Sequence, residues 1–157
     1  MAKTLWPTEA DVPRFYGKPG TQQKLIAPPY QLFLYDTRNP VKKVSVHKLV
    51  ADSAMRVLTK VLEEYGEKEI DRLHLNRFFG ALNVRKMRGS RSKMSMHSWG
   101  IALDFDATRN GLRTKAPKAS FSHRDYIPWW AAWEAEGWYS LGCRHDYDWM
   151  HVQAATR

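Results

Sequence analysis

Cysteine is almost missing from this chain of 157 residues, which carries only Cys143. A lone thiol excludes an intramolecular disulfide framework and any cysteine-based zinc cluster, so burial must hold the fold together. Cys143 itself reads as a packed or half-exposed thiol, not a nucleophile. Long apolar runs are missing too. No window holds about 18 uninterrupted apolar residues, and the start, Met1 to Pro7, lacks the apolar core of a secretory signal. The expectation is a protein made in the cytoplasm without membrane insertion, which would need something else to let it cross if its substrate lies outside the membrane. Acidic residues are the third scarcity, 16 Asp and Glu against 25 Lys and Arg, for a formal net charge of +9. Such a balance favours polyanionic partners. The cations are scattered, with no zinc-finger or recognition-helix pattern, which argues against nucleic acid and leaves anionic envelope polymers.

The length suits one domain over 1–157, acting as a monomer, with an irregular N-terminal arm over 1–45 and a catalytic core over 46–157. Prolines at 7, 13, 19, 28, 29 and 40 leave no sustained helix in the arm. Gln31 to Tyr35 is its one plausible strand. Ser45 to Gly66 reads as the principal helix, with Val46, Val50, Ala54, Val57 and Val61 on one stripe, Ser45 as cap and Gly66 as stop. His47 then falls in its first turn as a solvated residue. Leu73 to Gly80 suits a strand and Asn83 to Ser90 a basic loop. Asn110 to Ser122 is a polar loop long enough to act as a lid, ending at His123, a candidate substrate contact. Asp125 to Glu136 reads as a short tryptophan-rich helix that serves the core, stopped by Gly137. Trp138 to Leu141 suits a strand, Gly142 to Asp146 a loop, and Trp149 to Gln153 the last strand. The class predicted is α+β, a small antiparallel sheet packed against helices.

Two segments carry chemistry: Ser95-Met96-His97-Ser98-Trp99-Gly100-Ile101-Ala102-Leu103-Asp104 and Asp148-Trp149-Met150-His151. His97, Asp104 and His151 form a three-ligand set that leaves a tetrahedral Zn²⁺ one open corner, the mark of a catalytic site. Asp148 supplies the further carboxylate that takes a proton when water attacks. Strand alternation puts Asp104 opposite Leu103 and Phe105, with a turn at Ser98-Trp99-Gly100 returning His97 over the same face. Asp106 competes with Asp104 for the metal. Ser95 can bond its own loop or the substrate, the loop being preferred. A spacing of three puts Asp148 and His151 on opposite faces of a regular strand, so Asp148 must lie in the preceding turn or on a bulge. Arg85 and Arg88, just upstream, offer a guanidinium to a substrate carboxylate or an oxyanion.

Ser-x-His-x-x-Gly-x-Ala-x-Asp followed by Asp-x-x-His resembles the zinc peptidase family of D-alanyl-D-alanine carboxypeptidases and phage L-alanyl-D-glutamate endopeptidases, over roughly Arg85 to Gln153. The resemblance implies zinc on His97, Asp104 and His151, with Asp148 as general base where many members have Glu. It also implies an arginine ahead of the Ser-x-His segment, for which Arg85 is the closer match and Arg88 the alternative. The substrate implied is bacterial peptidoglycan, cut as by a phage endolysin. The carboxypeptidase reaction runs on the same chemistry. A non-haem iron oxygenase also uses two His and one carboxylate, but usually two residues apart, not seven, and with no need of Asp148. A nucleic-acid module and a metal-binding domain without turnover are the remaining rivals.

Overall fold

A computed structural model of the chain describes residues 5–157, so Met1 to Thr4, part of the stretch read for a signal, lie outside it. In chain order the elements are α1 (Val12–Tyr16), β1 (Gln23–Ile26), β2 (Leu32–Leu34), β3 (Pro40–Val41), β4 (Val44–His47), α2 (Ala51–Arg72), β5 (Arg77–Gly80), β6 (Ala102–Phe105), α3 (Ile127–Ala135), β7 (Tyr139–Ser140), α4 (Leu141–His145) and β8 (His151–Gln153). β1 and β4 form a two-stranded sheet, and the others a six-stranded sheet in the order β3-β2-β5-β6-β8-β7. The α+β class stands. The strands around the site are antiparallel as expected. β2 and β5 pair in parallel, because α2 carries the chain back across the sheet.

The stretch read as an irregular arm is built of regular pieces. Pro13 sits in the first turn of α1, where its missing N–H costs nothing, and β1 pairs with β4 in register. The principal helix starts later than the apolar stripe suggests. Val44, Val46 and His47 are buried strand residues of β4, and Ala51 opens α2. Valine at alternate positions fits a strand as well as one turn of a helix, and pairing with β1 decides the matter. His47 is therefore buried, not solvated: its Nε2–H donates to the Tyr16 carbonyl at 2.8 Å and its Nδ1 accepts from the Leu49 amide at 3.1 Å. Gly66 does break the helix, at φ 74°, but the chain turns on through a second segment to Arg72.

α3 packs against α2 and against the sheet. The Tyr65 hydroxyl donates to the Asp125 carbonyl at 2.7 Å and accepts from the Trp129 amide at 3.0 Å. Phe105 of β6 meets Trp129 edge to face, ring centres 5.0 Å apart, so Leu103 and Phe105 face the helices. Trp129 and Trp133 thus serve the core, as expected. The opposite face of β6, carrying Asp104, is left to the cleft.

Glu136, just past α3, ties the helices together. It accepts from the Ser53 hydroxyl at 2.9 Å and from Arg56 Nη2 at 2.9 Å. The Arg56 hydrogen bond holds its carboxyl below the ordinary range, against the opposing cost of burial and with help from Ser53. A carboxyl depressed in the folded state stabilises above its unfolded pKa, near ~4.3, and loses that contribution as pH falls through the folded value. Glu136→Gln is expected to cost about 1 kcal/mol at pH 7 and progressively less below about pH 4. Urea denaturation across that pH range checks it.

Candidate metal centre

Three elements converge on one point. Ser95 caps a 3₁₀ turn, Met96–Trp99, its hydroxyl accepting from the His97 amide, which is the loop role preferred over substrate contact. Gly100 ends the turn at φ 71°, and a Cβ there would lie 2.9 Å from the His47 amide nitrogen, so only glycine passes without strain. The chain then enters β6, where Asp104 stands directly across from His151 of β8. His97 Nε2 lies 3.0 Å from Asp104 Oδ2, and His151 Nδ1 lies 3.0 Å from Asp104 Oδ1. One ligand atom from each of His97, Asp104 and His151 lies within 4.8 Å of the other two.

The surroundings fix which nitrogen each ring presents. His97 Nδ1 lies 2.8 Å from the Ala81 carbonyl, which can only accept, so Nε2 carries the lone pair. Gln153 donates through Nε2 to Glu9 at 2.7 Å and to the Ala155 carbonyl at 2.9 Å, so its Oε1 faces His151 Nε2 at 2.8 Å as acceptor. His151 Nδ1 is then the free ligand atom. Until an ion takes their place, protons on the two nitrogens that face Asp104 fill the same role: burial disfavours the Asp104 anion, but the charge of His97 and hydrogen bonds from both protonated rings outweigh it and hold the carboxyl well below its usual range. Burial likewise pulls the His151 imidazole down, while Asp104 and then Asp148 lift it to about 9. Two oriented imidazoles and a carboxylate kept ionised form a donor set that could hold a divalent metal ion.

Asp148 lies in the turn before β8, as its spacing from His151 requires. Its backbone is left-handed at φ 50°, its amide donates to the Leu112 carbonyl at 2.9 Å, and its carbonyl accepts from the His151 amide at 3.1 Å. That geometry brings Asp148 Oδ2 to 3.9 Å from His151 Nδ1. Burial pushes its carboxyl up, partly offset by the charges of His151 and, further out, Arg88. The preceding residues form α4, not a loop. Ser140 caps it, and Gly142 leaves room for the Trp149 ring to lie flat on its backbone.

A cleft of about 800 Å³ opens over the triad. Arg85, Arg88 and Ser95 line it, joined by Arg113 and Lys115 from the loop over 110–122, which forms the opposite wall. Arg85 is pinned through its backbone, its amide donating to the Ser98 hydroxyl at 3.1 Å. Two candidates stand elsewhere. His123 is exposed, its Nε2 2.6 Å from the Pro117 carbonyl, and it is not among the residues lining the cleft. Asp106 does not share the face of Asp104: the strand ends at Phe105, Asp106 turns at φ 47°, and its Oδ2 accepts from Arg109 Nε at 2.7 Å. Gln153 and Glu9 escaped sequence reasoning. Gln153 carried a weak signal, two residues beyond His151 on one strand and hence on the same face. Glu9 carried none.

The chain matches no known family model, no curated protein and no solved structure. The donor geometry therefore stands on its own. The protein is expected to retain one divalent ion per chain through dialysis, and Asp104→Ala to lower that occupancy more than about tenfold. Elemental mass spectrometry decides, and an Asp104→Ala variant that binds like the parent would remove the metal reading.

Proposed function

We propose that the chain is a zinc-dependent peptidoglycan peptidase, endolysin-like, which cuts the L-alanyl-D-glutamate bond of bacterial stem peptides. The observation that carries this reading is the triad of His97, Asp104 and His151 with a further half-buried carboxylate, Asp148, 3.9 Å from a ligand ring. The resemblance of the two motifs to zinc peptidases supports the same assignment. An inert metal site has no use for that second acid.

Zinc held by the three side chains supplies Lewis acidity, polarising a carbonyl and acidifying water. Asp148 accepts the proton as water attacks the amide carbonyl, then returns it to the leaving amine. Burial, which raises its pKa, makes the carboxylate a stronger proton acceptor than a solvated one. Arg88 acts on Asp148 through space and lines the cleft as a substrate contact, while Arg85, on the same cleft, is the guanidinium to accompany the negative charge that develops on the carbonyl oxygen. The basic walls add a second support. Arg85 and Arg88 on one side and Arg113 and Lys115 on the other suit a substrate with its own carboxylates, as D-glutamyl stem peptides have. In this reading the enzyme meets peptidoglycan after the membrane has been opened.

Asp148→Ala is expected to lower turnover by about 10²–10⁴-fold with zinc retained. Residual activity near the parent level would remove Asp148 from the base role. Arg88→Ala should raise KM for peptidoglycan fragments more than it lowers kcat. Mass spectrometry of digested muropeptides names the bond: free L-alanyl ends support the endopeptidase, and loss of terminal D-alanine alone would assign the carboxypeptidase instead.

A further inference from the structure

Among the described residues, the N-terminal segment reaches the metal centre through the side chain of Glu9. Glu9 lies in a 3₁₀ turn, Glu9–Asp11, held to the C-terminal segment by its amide, which donates to the Thr156 carbonyl at 2.8 Å, and by the return bond from the Thr156 amide to the Pro7 carbonyl at 2.9 Å. Its Oε2 takes the Gln153 amide at 2.7 Å, and Gln153 Oε1 in turn takes His151 Nε2 at 2.8 Å. Gln153 is 1 % exposed, so the relay runs through protein and not through water. Arg157 Nε, 3.8 Å from the same Glu9 oxygen, steadies the outer end.

We infer that Glu9 is a positioning residue for the metal centre, acting on His151 through Gln153. A carboxamide has one accepting and one donating end, and only the right way round does it leave His151 Nδ1 free for a metal. Two acceptors, Glu9 and the Ala155 carbonyl, hold the donating end of Gln153. Glu9 is the charged one, and a charge-assisted bond on the amide N–H makes the far oxygen a better acceptor for the imidazole N–H. An imidazole whose N–H is so engaged donates more strongly to a metal from its other nitrogen, an outer-shell effect worth about 10–100-fold in affinity. The inference rests on the triad being a metal site, and not on the reaction proposed for it.

The test is zinc affinity, measured by competition with a chromophoric chelator, in the parent, Glu9→Ala, Glu9→Gln, Gln153→Leu and the Glu9→Ala/Gln153→Leu pair. Thermal unfolding of each chelated protein is recorded alongside. Glu9→Ala is expected to weaken zinc binding about tenfold. Glu9→Gln keeps an oxygen for the Gln153 amide but not the charge, and should recover only part of that loss. In the Gln153→Leu background the Glu9 change should have no further effect. Unchanged affinity in Glu9→Ala, even with a lower unfolding temperature, would overturn the inference and leave Glu9 as a brace for the arm. A Glu9 effect that persists undiminished without Gln153 would overturn the relay. Should Gln153→Leu not fold, the comparison of Glu9→Ala with Glu9→Gln still decides: Gln keeps the shape of Glu without its charge, so full recovery of zinc affinity, as a purely steric brace predicts, would overturn the relay, and partial recovery supports it. Failure of the parent itself to bind zinc would overturn the metal reading instead, a result distinct from the others.

Discussion

Burying the Asp104 carboxylate beneath two imidazoles carries a desolvation cost that the rings must offset, and much of the surrounding structure serves to hold them where they can. Each ring is gripped from behind, His97 by the Ala81 carbonyl and His151 by Gln153. Each grip leaves the nitrogen nearer Asp104 as the one that faces a shared centre. Leu103 and Phe105 of β6 are turned towards the helices, where Phe105 packs on Trp129. The polar residue on the strand is thereby fixed by the burial of its neighbours. A carboxylate on a loop would need its own supports; here the sheet supplies them.

The second acid depends on a different kind of support. Asp148 occupies left-handed backbone that a side chain adopts at some cost, and the cost is met by contacts on every side. Leu112 takes its amide. Two residues earlier, Asp146 accepts from Trp149 Nε1 at 2.9 Å and from the Ala116 amide at 2.8 Å. The turn that bears the acid and the loop that walls the cleft therefore form one body. Arg113, on that loop, is carried with Asp148 and not independently of it.

Much of this was legible in the sequence because it follows from spacing. Alternation along β6 put Asp104 opposite Leu103 and Phe105, and the three-residue step from Asp148 to His151 required a turn between them. Both requirements concern residues close in the chain. The misreadings lie where a local pattern fits two structures. Val46 and Val50 read as the start of a helical stripe until a partner strand for β4, β1, is known to exist. His47 read as solvated for the same reason. α4 was hidden because Gly142 looks like a loop residue, while its function is to admit the ring of Trp149. Asp106 read as a rival ligand because nothing local tells that the strand stops one residue short of it. The arm was misjudged because its proline content excludes long helices but not the short strands that carry it around the domain. Glu9 could not be found at all. Its link to Gln153 spans 144 residues and obeys no periodicity.

The direct pairing of Asp104 with His151 across β6 and β8 has a consequence for how the chain assembles. Side chains on neighbouring strands keep their facing partners only in one alignment, and a slip by a single residue sends every one of them to the reverse side of the sheet. Two of the three donors would then part company, one towards the tryptophans and one towards solvent. An ion held by His97, Asp104 and His151 during folding would reward the correct alignment of these two short strands and no other, so coordination would act as a proofreading step on β-pairing.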